Sequence, residues 1–202
     1  WSAKVLGALH DDIPAFQDSH AFLTGTSGGA VGTWLYLEGL HRCSNGECPH
    51  EFGEKLFKAA AADSLPPTTW GLAFPDLSRF IFPWMTAWLP PGDEGDFGPG
   101  ARWDRASAME RSWLGYCEAN GLCESDRREP MLGFVGNPAI PPFALNSASV
   151  EEGAPVLLSN LELGFDYGKL GEDPFKSKVK DKAWFQTSRV TAARLSATFP
   201  YV

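Results

Sequence analysis

A chain of 202 residues that is 44% hydrophobic and 21% charged carries enough apolar side chains to build a buried core, and its length favours one domain over two small ones. Its formal net charge of -8 argues against a nucleic-acid partner, because tracking phosphates requires clustered Lys and Arg. No run of about eighteen or more uncharged apolar residues occurs, so nothing reads as a membrane span; the nearest stretch, 70–89, is broken by Pro75, Asp76, Arg79 and Pro83.

Apolar residues at Trp1, Val5, Leu6 and Leu9 recur at helical spacing and predict a helix over 1–9. Residues 21–23 form a short strand-like run. A helix follows over 28–40, with Val31, Trp34, Leu35 and Leu37 apolar and Gly39 marking its end. An alanine-rich helix over 52–62 stops near "LPP". Residues 64–100 are rich in Pro, Gly and aromatics and read as loops around one short helix at 76–88. The next helix covers 103–119, with Asp104 as N-cap and Gly121 as stop. Segments 142–150 and 154–163 read as strands joined by the turn "EEG". Residues 164–182 are polar and loop-like, and Lys176, Lys178, Lys180 and Lys182 read as a solvated edge. A last helix over 187–198 is capped by Thr187 or Ser188 and stops before Pro200. Helices alternating with short strands predict an α/β layered sheet, and the hairpin makes that sheet mixed. No internal repeat is present. The chain starts inside a helix and stops at "FPYV" without a closing element, so both ends read as cuts through a longer protein.

The four cysteines fall in two local pairs. Cys43 and Cys48 lie in "HRCSNGECPH", flanked symmetrically by His41 and His50. That pattern reads three ways: a tetrahedral zinc shell, a disulfide across the "SNG" turn, or free thiols. The spacing is not that of a familiar zinc finger. Cys117 and Cys123 read as buried or loop thiols.

The chemistry is concentrated in "GTSGG", residues 25–29, between the strand-like run and the helix. Strand, G-x-S-x-G, helix is the nucleophile-elbow pattern. It puts Ser27 on a sharp, strained turn, so the neighbours must be small. Gly25 and Gly29 are expected to let strand and helix pass closely. The Gly28 N–H is placed to meet a developing oxyanion at the positive end of the helix dipole. A phosphate-binding loop is the competing reading, but neither the G-x-G-x-x-G order nor a Walker lysine is present. A tight turn without chemistry is the other. The histidines stand at 10, 20, 41 and 50. Only His41 and His50 follow Ser27, too soon to fit the order Ser, acid, His, so a base other than histidine is needed.

"WSAKVLGAL", "AFLTGTSGGAVGTWLYL", "WDRASAMERSW", "FALNSASVEEGAPVLLSNLEL" and "TAARLSATFPYV" together resemble patatin-like lipid acyl hydrolases, especially the large bacterial branch. The resemblance covers most of the chain. It implies one partial three-layer α/β/α domain over 1–202, with a mixed central sheet and truncated at both ends. It implies a Ser–Asp dyad in which the aspartate of a D-G-[GA] motif activates Ser27 directly, and a glycine-rich oxyanion loop before the first helix. No "DG" dipeptide occurs in the sequence, so the dyad aspartate is assigned to no residue here. What carries over is Ser27 as nucleophile, the Gly28 N–H as oxyanion donor, and Gly25 and Gly29 as elbow glycines. The implied substrate is a lipid or fatty-acyl ester, with peripheral membrane contact and with no cofactor, metal or nucleic acid. The compartment stays open between cytoplasm and membrane surface. Trp70, Phe74, Phe80, Phe82, Trp84 and Trp88 read either as ordinary core or as a lid or interfacial foot near the site. Two rival functions are an esterase or thioesterase on small esters and a non-catalytic binding protein of the same fold.

Overall fold

The computed structural model describes residues 1–13, 15–82, 84, 104–124, 128–148, 155–161 and 187–197. The "EEG" turn, the four spaced lysines, Trp88 and the final "FPYV" lie outside them. The architecture is mixed α/β, with an open three-stranded sheet in the order β1 (Leu23–Thr26), β2 (Phe143–Ala148), β3 (Pro155–Ser159). β1 and β2 are parallel, in register Leu23↔Phe143 and Gly25↔Leu145. β2 and β3 are antiparallel, with Leu145 opposite Leu158. Alternation along the strands therefore puts Leu23, Gly25, Phe143, Leu145 and Leu158 on one face and Thr24, Thr26 and Asn146 on the other. The expected strand at 21–23 is displaced toward the elbow, because the ladder to β2 begins only at Leu23.

Around the sheet lie α1 (Ser2–Asp12), α2 (Gly28–Ser44), α3 (Phe52–Ala60), α4 (Leu65–Gly71), α5 (Leu77–Ile81), α6 (Arg105–Ala119) and α7 (Arg189–Ala197). α2 is the central element. Residues 32–40 are buried without interruption, so the helix is enclosed on all sides rather than amphipathic. It packs on β1, α1, α3 and α7. Gly39 does not end it. A Cβ there would lie 2.4 Å from the Phe52 ring, so the glycine makes room for α3 while the helix runs on to Ser44. α1 and α3 cross where Gly7 meets Gly53, and a Cβ on Gly7 would stand 2.6 Å from the Gly53 Cα.

Of the short helix expected at 76–88, α5 covers Leu77–Ile81, and residues 83 and 85–88 lie outside the described residues; an unexpected helix, α4, precedes it. α4 starts on a proline-containing first turn and passes through a π-turn, Leu72–Asp76, into α5. α6 starts on the expected cap. Asp104 accepts from the Ser107 N–H at 2.7 Å, and Ser107 Oγ accepts from the Asp104 N–H at 2.9 Å. α7 is capped by Ser188, whose Oγ accepts from the Thr191 N–H at 3.2 Å.

α2 and α7 both cover the apolar sheet face. Two buried ionic contacts fix α7 to its neighbours. Arg189 meets Glu38 of α2 at 2.9 Å and Arg194 meets Glu110 of α6 at 2.6 Å. Arg128 also reaches Glu110. Trp34 Nε1–H donates to the other Glu38 oxygen at 2.9 Å, so that carboxylate is held on both sides.

Both cysteine pairs are disulfides, Cys43–Cys48 and Cys117–Cys123. Of the three readings of the first pair, the disulfide stands. Zinc and free thiols are ruled out there, because the two sulfurs bond each other. The thiol reading of Cys117 and Cys123 is also corrected. Gly121 turns the chain back at φ 71°, Leu122 N–H donates to the Cys117 carbonyl, and Cys123 is thereby returned to Cys117. The two staples adjoin. Arg42 of the first reaches the carbonyl of Cys123, and Asn45 Nδ2 donates to Glu124 at 3.2 Å.

Candidate active site

The site is built where β1 runs into α2. Ser27 is the residue between them, with φ 54° and ψ -133°. This backbone conformation is nearly reserved for glycine, so a serine there is strained. Its side chain is exposed. The Ser27 carbonyl accepts from the Ala30 N–H at 2.9 Å, starting the helix, and its own N–H donates to the Ser196 carbonyl at 3.1 Å. Ser196 lies in the last turn of α7, within the "SATFP" segment. That helix end, remote in sequence, therefore sits against the elbow.

Gly25 has the role expected of it. A Cβ there would lie 2.7 Å from the Ala30 Cα, a backbone contact that cannot yield. Gly29 does not. A Cβ on Gly28 or Gly29 would meet nothing within 4 Å. Both glycines instead face an open cleft of about 480 Å³, lined also by Ser2, Gly32, Ser64 and Trp113. Their smallness keeps the cleft open beside the serine rather than allowing strand and helix to touch. Gly28 opens α2, so its N–H belongs to the first turn and has no carbonyl partner within the helix. No acidic residue stands in that turn to compete for an anion.

No histidine pairs with Ser27 among the described residues. His10 and His20 gather around Tyr36, with His10 Nδ1 3.5 Å from the Tyr36 hydroxyl and the His20 ring stacked on the Tyr36 ring. Burial lowers the His10 pKa below its usual value, and it pushes the Tyr36 phenol above its usual range. His41 lies toward the far end of α2, 3.1 Å from Asn137 Nδ2, and burial together with Arg189 holds its pKa down. Among the described residues Glu38 and Glu110 are the buried carboxylates, and both are engaged by arginines.

Two residues that sequence reasoning passed over meet at the elbow. Asn146, on β2 opposite Thr26, donates through Nδ2 to Thr24 Oγ1 at 2.8 Å, Gly25 O at 3.3 Å and Thr26 Oγ1 at 3.3 Å. Ser196 Oγ donates to the Asn146 carbonyl. The only advance sign of Asn146 is a polar residue that interrupts an apolar strand.

The described part of the aromatic segment is exposed rather than core. Phe80 is 84% exposed and Trp84 67%, and Leu65, Trp70, Phe74 and Phe82 are exposed as well. The segment begins at the cleft, since Ser64 lines it and accepts from Trp113 Nε1–H at 2.7 Å. No helix among the described residues is long and apolar enough to cross a membrane. No family model matches the chain, and neither a curated protein nor a solved structure matches it.

Proposed function

We propose that this chain carries the nucleophile of a serine hydrolase acting on lipid esters, within a patatin-like three-layer α/β/α domain. The observation that carries the reading is the strained, exposed Ser27 between a parallel strand and the first turn of a buried helix. Strain of this kind persists where a side chain must be presented at one place. In the proposed reaction Ser27 Oγ attacks the ester carbonyl, and the Gly28 N–H donates to the oxygen that gains charge. The alcohol leaves, and water then hydrolyses the acyl-enzyme. The aspartate that the resemblance implies as general base would take the Ser27 hydroxyl proton and return it to the leaving alcohol; it is assigned to no residue of this chain. Contact of Ser27 with the end of α7 supports the reading, because that helix end belongs to "TAARLSATFPYV", one of the segments that carry the resemblance.

The exposed aromatic shelf favours a lipid over a small soluble ester. Trp and Phe side chains suit the boundary between water and hydrocarbon, and this shelf continues from the cleft beside Ser27. The test is labelling of the full-length protein, with the aspartate that the resemblance implies, by a fluorophosphonate probe, alongside hydrolysis of a fatty-acyl chromogenic ester. Probe attachment at Ser27, with labelling and turnover both lost in Ser27→Ala, is expected. Turnover that survives Ser27→Ala would overturn the assignment. A folded protein that neither takes the probe nor hydrolyses any ester would favour the non-catalytic rival.

A further inference from the structure

We infer that Asn146 and Ser196 are positioning residues that hold Ser27 in its strained conformation through a closed ring of hydrogen bonds. The inference rests on Ser27 being the nucleophile. A non-glycine residue at φ 54° relaxes unless its surroundings over-determine it. Around Ser27 the surroundings come from three elements. Asn146 on β2 ties down the strand before the serine, through Thr24 Oγ1, the Gly25 carbonyl and Thr26 Oγ1. The Asn146 carbonyl accepts from Ser196 Oγ, which fixes the last turn of α7 on β2. The Ser196 carbonyl then accepts the Ser27 N–H at 3.1 Å. The peptide bond from Thr26 to Ser27 closes the ring. Asn146 and Ser196 each use a backbone and a side-chain group at once, so moving either one moves the strand, the helix end and Ser27 together.

The Asn146 side chain meets Thr24 and Thr26 on the polar sheet face, where both threonines are exposed, while Ser196 joins the ring from α7 on the apolar face through the Asn146 backbone carbonyl. Ser147 Oγ separately donates to the Leu195 carbonyl at 2.6 Å. It fastens the same helix end without entering the ring, and so supplies a comparator for ordinary structural support.

The variants are Asn146→Asp, which keeps shape but loses the Nδ2–H donors, Ser196→Ala, and Ser147→Ala. The readouts are kcat and KM on a short-chain chromogenic ester, and the exchange rate of the Ser27 amide followed by NMR. Misplacing a reacting atom by about 1 Å costs on the order of 100-fold in rate. Asn146→Asp and Ser196→Ala are therefore expected to lower kcat by roughly 10- to 100-fold with KM nearly unchanged, and to speed exchange of the Ser27 amide. Ser196→Thr, which restores the hydroxyl, is expected to recover most of the loss. Ser147→Ala is expected to lower thermal stability without the kcat loss. Wild-type kcat and unchanged Ser27 protection in the first two variants would overturn the inference. So would equal kcat losses in all three, which would reduce the ring to general support. If the wild-type protein hydrolyses nothing and takes no probe, the hydrolase reading fails by itself. Ser27 amide exchange then still decides the ring: faster exchange in both ring variants upholds it, and unchanged exchange sinks it.

Discussion

Ser27 occupies a backbone region that costs a non-glycine residue about 1–3 kcal/mol, and that cost gives a signature independent of any substrate. Ser27→Ala removes the hydroxyl but keeps a Cβ, so it keeps the strain. Ser27→Gly removes both. We expect the glycine variant to exceed the alanine variant in stability by about 1 kcal/mol in urea titrations, although glycine's unfolded-state entropy normally makes it the less stable of the two. Equal stabilities, or a more stable alanine variant, would show that φ 54° is not held in solution. At the same scale, His10 sets a pH dependence. Burial is the largest influence on its pKa and lowers it; Asp11 opposes this and His20 adds to it. Between the lowered folded value and the unperturbed value the unfolded chain binds more protons, so this contribution is present above the unfolded pKa and is lost as pH falls through the folded one. The Tm should therefore fall as pH drops below the unperturbed histidine value of about 6.5, and His10→Phe, which keeps a ring beside Tyr36 and Phe52, should flatten part of that fall. An unchanged slope in the variant would count against the buried ring.

Among the elements, those specified by near neighbours in sequence follow the expected pattern, and those whose limits depend on packing do not. Asp104 starts α6 as expected because a capping box needs only residues three apart. Gly39 is misleading as a stop signal because its smallness serves Phe52, a residue on another helix. The two staples lie at the ends of α2 and α6 and pack against each other, so each should support the other's helix end. Replacing Cys117 and Cys123 together by Ser opens a six-residue separation, for which loop-closure entropy gives a loss of about 2 kcal/mol. Urea titration of the double variant checks this value. Disulfides persist in oxidising compartments. Protein isolated from its native compartment should accordingly show no titratable thiol from these four cysteines under denaturing conditions, and four free thiols would contradict both pairings.

At the scale of the molecule, α2 carries the elbow at one end and the staples at the other, separated by about 25 Å for a helix of 17 residues. The buried Glu38–Arg189 pair between them locks α7 alongside, which is what delivers Ser196 to Ser27. The aromatic shelf extends outward from the cleft next to the same elbow. An exposed run of Trp, Phe and Leu of this kind is unusual for a surface with no apolar partner. Replacing Phe80 and Trp84 together by Ala should weaken liposome binding by about 100- to 1,000-fold while leaving short-ester hydrolysis within about twofold, if about 2 kcal/mol per buried ring is lost only at the membrane. Equal losses in the two assays would mean that the rings support the fold instead.

The amino-acid sequence by itself determined the features that act within a few residues. These are the strand–serine–helix junction with small residues about Ser27, the cap at Asp104, the start of α7 at Thr187 or Ser188 and the mixed α/β alternation. Each rests on backbone geometry or on a hydrogen bond between close neighbours, so residue type and spacing suffice. Tertiary structure alone decided which groups from distant segments converge on them. Asn146 and Ser196 are ordinary polar residues in a strand and a helix until β2 pairs with β1 and α7 packs on α2. Gly29 belongs to a cleft rather than to a strand–helix contact, Cys123 bonds Cys117 only once Gly121 turns the chain back, and the aromatic segment stands exposed only because no described element packs over it. Burial and convergence are properties of what lies opposite a residue, and periodicity along one segment carries no record of its partner.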